Sequence, residues 1–161
     1  MDEIPSPEDE HYTSTCLGRA PRCEYWVAAR NAGGQPTVIR NSPFLTDGTP
    51  MPTMYWLVDP QLNRRIGTIE AQGGVNRSES EIGLDVLAAV HDRYRDARDA
   101  QIPDGYLGPR PSGGVGGTRI GVKCLHTHYA WFLAGGDDPV GQWVEHELKQ
   151  FDGVRLGGTH G

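Results

Sequence analysis

The chain has 161 residues, of which 37% are hydrophobic and 22% are charged, a composition that fits one domain with its own buried core. No apolar run approaches the roughly 18 residues of a membrane span, and the start lacks the basic and apolar stretches of a secretory signal, so we expect a cytoplasmic protein. The formal net charge is −6, but residues 1–10 contain five acids and no Lys or Arg. The rest of the chain is close to neutral, which argues against nucleic-acid binding.

The acidic start and the glycine-rich end predict tails around a single domain. Residues 1–15 are expected to form a disordered acidic tail, although a short helix ending near Leu17 and Gly18 also fits residues 11–20. Residues 16–150 are expected to form the domain, and residues 151–161 a flexible C-terminal tail. The three cysteines, at positions 16, 23 and 124, have no regular spacing, which argues against a disulfide framework.

Strand patterns come first along the domain. Residues 22–29 (RCEYWVAA) and 36–40 (PTVIR) are rich in β-forming side chains, and the turn signal NAGG between them predicts a hairpin. Residues 53–58 (TMYWLV) are aromatic and apolar and form a short run, which predicts a central strand.

Helical patterns follow the strands. Asp59 and Pro60 suit the N-cap and first turn of a helix that runs to about Ala71. A second helix is expected over residues 80–100, and its end, HDRYRDARD, alternates charge as a solvated face does. Its apolar stripe comprises Leu84, Leu87, Ala88, His91 and Tyr94. After a glycine- and proline-rich loop, further helices are expected over residues 122–134 and 139–150.

The order of these elements indicates the fold class. Because strands come before helices instead of alternating with them, we expect an α+β fold rather than a doubly wound sheet. A small antiparallel sheet from the N-terminal half would pack against about four helices.

The loop that leads into helix 122–134 has the features of an anion site. No Asp or Glu occurs from Gly105 to Gly136, whereas the segment contains two arginines and a lysine. Glycines allow backbone N–H groups to converge, and a helix N-terminus adds partial positive charge, so phosphate, a nucleotide or a carboxylate is the expected ligand. The predicted contacts are Ser112, Gly113, Gly114, Gly116, Gly117, Arg119 and Lys123. A plain surface loop explains the same pattern, and the GxxxxGK[ST] order of a P-loop is absent.

Cys124 and His128 lie four residues apart in the predicted helix, so their side chains are expected to meet. One interpretation is a catalytic thiolate, whose pKa Lys123 and the helix N-terminus would lower. A second is a pair of ligands in a zinc-type site. A third is a small buried cysteine beside a histidine that makes a structural hydrogen bond.

The remaining ligand-type residues show no recognisable metal-binding spacing. His126 falls in the apolar stripe of its helix and is expected to be structural. Glu70, with Arg64 and Arg65 about a turn before it, is expected to form a surface ion pair. The further candidate metal ligands are Asp59, Glu70, His91, Glu145 and Cys23.

Four segments together resemble a known family. They are LGRAPR (17–22), DGTPMPTMYWLVDP (47–60), a helix ending in Glu70 before Gly73, and GVKCLHTHYAWFLAGGDDPVG (121–141). In these segments the chain is similar to the bacterial domain of unknown function 501 (DUF501) family, of the actinobacterial type, over about residues 17–147. That family has no established activity, and its genes often lie near those of a septum-formation initiator protein and an exopolyphosphatase. The resemblance therefore implies either a phosphate-containing ligand or a role in cell division.

The resemblance also bears on metal binding. Relatives often carry cysteine where this chain has Asn31 and Asp59, which together with Cys124 and His128 implies a four-ligand zinc or iron site in those relatives. Two of the four positions are replaced here. The resemblance thus implies a metal that is lost, bound differently or never needed, with Asp59, Cys124 and His128 as the remaining ligand set.

Three functions follow from these patterns. The first is binding of a small anionic ligand at the loop–helix junction, with chemistry by Cys124, His128 and Lys123. The second is a non-catalytic module that binds a protein partner in bacterial cell division. The third is a metal-binding structural protein, and whether the chain is an enzyme stays open.

Overall fold

The structure, a computed structural model, describes residues 2–158, with side chains up to residue 150. The elements in chain order are α1 (Pro7–Leu17), β1 (Tyr25–Arg30), β2 (Pro36–Asn41), β3 (Tyr55–Leu57), α2 (Pro60–Ala71), α3 (Gly74–Ile82), α4 (Leu84–Asp99), a 3₁₀ turn (Val115–Gly117), α5 (Leu125–Leu133) and α6 (Pro139–Gly158). The three strands form an antiparallel sheet, so the α+β class predicted from the sequence is confirmed. Within residues 2–158, no helix is both long and apolar enough to cross a membrane.

The sheet has the order β1-β2-β3, which places β2 at its centre and β3 at an edge. The predicted hairpin of β1 and β2 is confirmed, with Val27 paired to Ile39. The central position predicted for TMYWLV is wrong. Only Tyr55, Trp56 and Leu57 pair with β2, and the nearby prolines at positions 52 and 60 keep the strand short.

The core lies where α5 packs against β3 and α6. Leu125 and Ala130 of α5 are fully buried there, together with Val140 and Val144 of α6. The two helices approach closely because Gly141 has no side chain: a Cβ at this position would lie 2.2 Å from the Cβ of Phe132. The sheet and α6 thus hold the start of α5 in a fixed position.

The N-terminal residues are ordered where the composition predicts a disordered tail. α1 begins with a capping box in which Ser6 and Asp9 bond each other's backbone N–H groups, and it ends at Leu17 before Gly18, whose φ is 79°. Asp9 also accepts hydrogen bonds from Arg30 on β1 at 2.8 and 2.9 Å. Glu3 and Asp9 of this segment thus both pair with Arg30 of the sheet, which composition alone does not reveal.

The predicted helix over residues 80–100 is two helices, α3 and α4, separated at Gly83, whose φ is 92°. The buried face of α4 comprises Leu87, Val90, His91, Tyr94 and Arg98. Leu84 and Ala88, which were expected on the apolar stripe, are exposed. The predicted stripe is therefore displaced toward the C-terminal end of the helix.

Arg98 is the exception to the prediction that the charged end of α4 is solvated, since Asp92, Arg95 and Asp96 are exposed there. Its side chain is 1% exposed, and its guanidinium donates to the carbonyls of Pro52, Pro111 and Ser112 at 3.2 to 3.4 Å. These loop carbonyls have no strand partners, and a guanidinium has enough donors for several of them. Arg98 thereby ties the glycine-rich loop to α4.

The C-terminal helix is longer than predicted. α6 continues to Gly158 instead of ending near residue 150, so the first part of the predicted tail 151–161 is helical. Residues 159–161 lie outside the described part of the chain.

Candidate functional site

The segment from Gly121 to Leu125 enters α5 between two carboxylates. Glu79 of α3 accepts the N–H of Val122 at 2.9 Å, and Glu70 of α2 accepts the N–H of Leu125 at 2.9 Å. Gly121 has a φ of 70°, and a Cβ there would lie 2.3 Å from the Glu79 carboxylate. The first N–H group of α5, that of Leu125, would otherwise be unpaired and is therefore satisfied by an acid of the protein itself.

Cys124 is the N-cap of α5 and is not part of the helix. Its φ of −152° and ψ of 126° are extended, so its side chain does not follow the helical rows. Its Sγ lies 3.6 Å from Nδ1 of His126, two residues further on. The predicted contact with His128 assumed that the helix begins at residue 122, and the later start replaces it with a contact to His126.

His126 is held in one orientation by the backbone. Its Nε2 lies 3.0 Å from the carbonyl oxygen of Asn63. Because a carbonyl oxygen only accepts, Nε2 must carry a hydrogen and donate it. In the neutral ring, Nδ1 then presents its lone pair to Cys124 and to Glu70, whose Oε1 is 3.3 Å away.

Glu70, Cys124 and His126 therefore bring three electron-pair donors to one place. One carboxylate oxygen, the sulfur and Nδ1 all lie within 4.8 Å of one another. Two of the three side chains are also held by a backbone group: Leu125 N–H for the carboxylate and the Asn63 carbonyl for the imidazole. We call this group the Glu70–Cys124–His126 centre.

The hydrogen bond between Cys124 and His126 shifts the pKa of both groups. The hydrogen bond with Cys124, together with the nearby charge of Glu70, raises the pKa of His126 to about 9 against the opposing effect of burial. Burial raises the pKa of Cys124, but the hydrogen bonds with His126 and the Thr127 backbone outweigh it, so the thiol pKa is lowered overall. Three lone pairs that face one another need a cation between them, either a proton or a metal ion.

A small groove of about 190 Å³ lies beside the centre. It is lined by Leu17, Tyr55, Trp56, Leu57, His126 and Thr127. The groove is mostly apolar, and His126 is the residue of the centre that also lines it. The end of α1, the edge strand β3 and the first turn of α5 meet at this groove.

His128 and Asp59, the other predicted metal ligands, lie outside the centre. His128 is fully buried, and its Nδ1 lies 2.6 Å from Oδ2 of Asp138, the residue before α6. No hydrogen-bond partner reaches its buried Nε2 within the described part of the chain. Asp59 caps α2 by accepting the N–H groups of Gln61 and Leu62. Each residue thus has a structural task of its own.

Only some of the predicted anion contacts lie together in the structure. Ser112, Gly113, Gly114 and Arg119 line a groove of about 400 Å³ together with Arg95 and other residues of α4. Gly116, Gly117 and Lys123 are not part of this lining, and the Lys123 ammonium donates to the carbonyl of Gly116 at 3.3 Å.

The backbone of this loop is largely satisfied internally. The N–H of Gly114 donates to Thr118, and that of Gly117 donates to Gly114, at 2.7 and 3.0 Å. The N–H of Val115 donates to Nδ1 of His91 at 3.1 Å, and Nε2 of His91 binds the carbonyl of Gly121 at 2.7 Å. Burial lowers the pKa of His91, which keeps this ring neutral. The N–H groups of Gly114, Val115 and Gly117 are therefore used within the protein and are not free to bind an anion in the way that the sequence predicted for this loop.

The sequence did not group the three residues of the centre. Glu70 was one of several candidate metal ligands but was expected to form a surface ion pair, and His126 was expected to be structural, since a helical wheel starting at residue 122 separates it from Cys124. The available signal was that both lie in the segments that resemble the DUF501 family. Within those segments, Cys124 and His126 form a Cys-x-His pattern at the start of one helix, and Glu70 lies near the end of another.

The comparisons with known proteins agree with the resemblance. A family model described as "Protein of unknown function (DUF501)" matches residues 27–146, which run from β1 into α6 and include the whole centre. The matched region leaves α1 outside. Neither the curated proteins nor the solved structures contain a match to this chain.

Proposed function

This chain belongs to the DUF501 family, and because that description assigns no activity, we propose a function from the geometry of the centre. The protein binds one transition-metal ion of the zinc class through Glu70, Cys124 and His126, with a coordination position left for a small ligand. The observation that carries the proposal is that three lone-pair atoms converge within 4.8 Å. The carboxylate and the imidazole are each oriented by a hydrogen bond with a backbone group.

The donor set indicates which ion fits. A thiolate and an imidazole favour zinc, copper or iron over magnesium and calcium, which prefer oxygen ligands. A ligating histidine usually donates its other ring N–H to a carbonyl or carboxylate, and the bond from His126 to Asn63 has this form. The pattern supports zinc or ferrous iron held by side chains of α2 and the start of α5.

The number of ligands bears on what the site does. Structural zinc sites are closed by four protein ligands, whereas catalytic ones have three and keep a position for water or substrate. Three such side chains meet in the described part of this chain. An ion held in this way would leave a position for water or another small ligand and would lower the pKa of a bound water, which is the chemistry of metal-assisted hydrolysis.

Cobalt(II) titration of the purified full chain tests the proposal. We expect one Co²⁺ per chain, a thiolate-to-metal charge-transfer band, and displacement of that band by Zn²⁺. Cys124→Ser should abolish the charge-transfer band, whereas the matched control Cys16→Ser, which changes a half-buried cysteine on α1, should retain it. Absence of uptake by the wild-type chain, or an unchanged band in Cys124→Ser, would refute the proposal.

A second candidate is an anion site in the groove between α4 and the glycine-rich loop. Its supporting observation is that Arg95 and Arg119 line one groove together with Ser112, Gly113 and Gly114. Two guanidinium groups suit a phosphate or pyrophosphate group, although Arg95 also pairs with Asp92, which lines the same groove, at 3.2 Å. We expect pyrophosphate to raise the melting temperature of the wild type but not of Arg119→Ala. Arg110→Ala, an exposed arginine outside this lining, is the control, and equal shifts in all three proteins would exclude the groove.

A further inference from the structure

The inference concerns the ligand at the open coordination position and rests on the proposed metal function. We infer that it is a small carboxylate-type molecule whose anionic head binds the ion and whose short aromatic or branched apolar body fills the groove beside His126. Nothing in the family description indicates such a ligand. The supporting observation is that the apolar groove and the Glu70–Cys124–His126 centre share one residue, His126.

The charge of the loaded centre permits an anionic head. A divalent ion bound by one thiolate, one carboxylate and a neutral imidazole carries no net charge together with its ligands, so a fourth ligand is not repelled. Carboxylates and their hydroxamate analogues supply oxygen lone pairs that compete with water for such a position. His126 connects the two features, because its Nδ1 belongs to the centre while the residue also lines the groove.

The apolar body follows from the lining and the volume. Leu17 and Leu57 contribute aliphatic surface, and Tyr55 and Trp56 contribute aromatic rings. A cavity of about 150 Å³ accommodates a benzene ring, so a groove of about 190 Å³ is large enough to seat one ring. The lining contains no Lys or Arg to hold a phosphate, which disfavours a nucleotide.

Two probes that differ only in their body test this inference on the Co²⁺-loaded full chain. The probes are benzohydroxamate and acetohydroxamate, and the readout is the change in the Co²⁺ absorption spectrum. We expect benzohydroxamate to bind the wild type about tenfold more tightly, because burying about 60 Å² of apolar surface is worth a factor of that size. Trp56→Ala should reduce the ratio to about twofold or less, whereas Trp143→Ala, a half-buried tryptophan on α6, should preserve it.

The outcomes separate this inference from the proposal beneath it. A wild-type chain that takes up no Co²⁺ overturns the metal function and, with it, the ligand. A chain that takes up Co²⁺ but binds both probes equally, or keeps its preference in Trp56→Ala, overturns the ligand alone. Leu17→Ala is the second variant in case Trp56→Ala does not fold. Leu17 lies at the end of α1, outside the segment that matches the family, and its truncation should weaken the preference in the same direction.

Discussion

Two glutamates that look equivalent along the chain are expected to differ in metal binding. Glu70 and Glu79 each accept one backbone N–H from the segment that enters α5, at the same distance of 2.9 Å. Glu70 alone belongs to the group of converging donors. Changing each to glutamine keeps a side-chain oxygen that accepts the N–H but removes the negative charge.

The effect on stability should be small and nearly equal for the two variants. A hydrogen bond to a charged group is worth about 1.5–3 kcal/mol and one to a neutral group about 1 kcal/mol, so each substitution should cost about 1 kcal/mol. For a protein of this size that corresponds to a fall of about 2–4 °C in melting temperature. The fold should therefore survive in both Glu70→Gln and Glu79→Gln.

The effect on metal affinity should differ by orders of magnitude. Loss of a residue that only supports a ligand typically weakens binding by about 10- to 100-fold, so loss of the Glu70 ligand itself should cost about 100-fold or more. Glu79→Gln should change the affinity by less than about tenfold. Competition for Zn²⁺ against a chromophoric chelator measures this, and thermal unfolding of the same samples checks the fold. Equal Zn²⁺ affinities in the two variants would refute the assignment of Glu70 as a ligand.

Further substitutions test the helix packing and the N-terminal helix. Gly141→Ala should destabilise the protein by about 1–3 kcal/mol or more, because its Cβ would lie 2.2 Å from that of Phe132. Gly67→Ala, a helical position with no atom within 4 Å of the new Cβ, should instead stabilise it by about 0.5–1 kcal/mol, and thermal unfolding in the reverse order would contradict this packing. Asp9→Asn should lower the free energy of unfolding at neutral pH by about 1–3 kcal/mol. The hydrogen bonds from Arg30 hold the pKa of Asp9 well below its usual value, so this stability is present above about pH 4 and is lost as the pH falls. Denaturation curves of the wild type and Asp9→Asn should converge in acid, and a difference that stays constant with pH would speak against this ion pair.

Local sequence patterns predicted several elements correctly because the forces that form them are local. Asp59 and Pro60 begin α2 as expected, since the capping carboxylate and the fixed φ of proline act within one turn. The NAGG turn joins β1 and β2 for the same reason. The central strand was predicted incorrectly, because a strand's place in a sheet depends on which partners reach it.

The buried polar residues show where local patterns stop being informative. Arg98 lies in an alternating run of charges that is typical of a solvated face, yet it is buried by loop carbonyls that come from distant parts of the chain. Asp9 lies in an acidic segment that is typical of a tail, yet Arg30 of β1 orders it. In both cases the partner is more than ten residues away, so no window of sequence contains the pair.

At the candidate site, too, some features follow from the local sequence and others from tertiary packing. The sequence by itself determined that Cys124 stands at the start of a helix after a glycine-rich loop, since glycines and a helical pattern mark that junction. Only the tertiary structure decided that its partners are His126 and Glu70 instead of His128. The start of α5 at Leu125 rotates Cys124 off the helical rows, and the packing of α2 against α5 brings a carboxylate from 54 residues earlier to the thiol. The contact that defines the centre thus depends on where one helix begins and which helix lies beside it, and the sequence around Cys124 specifies neither.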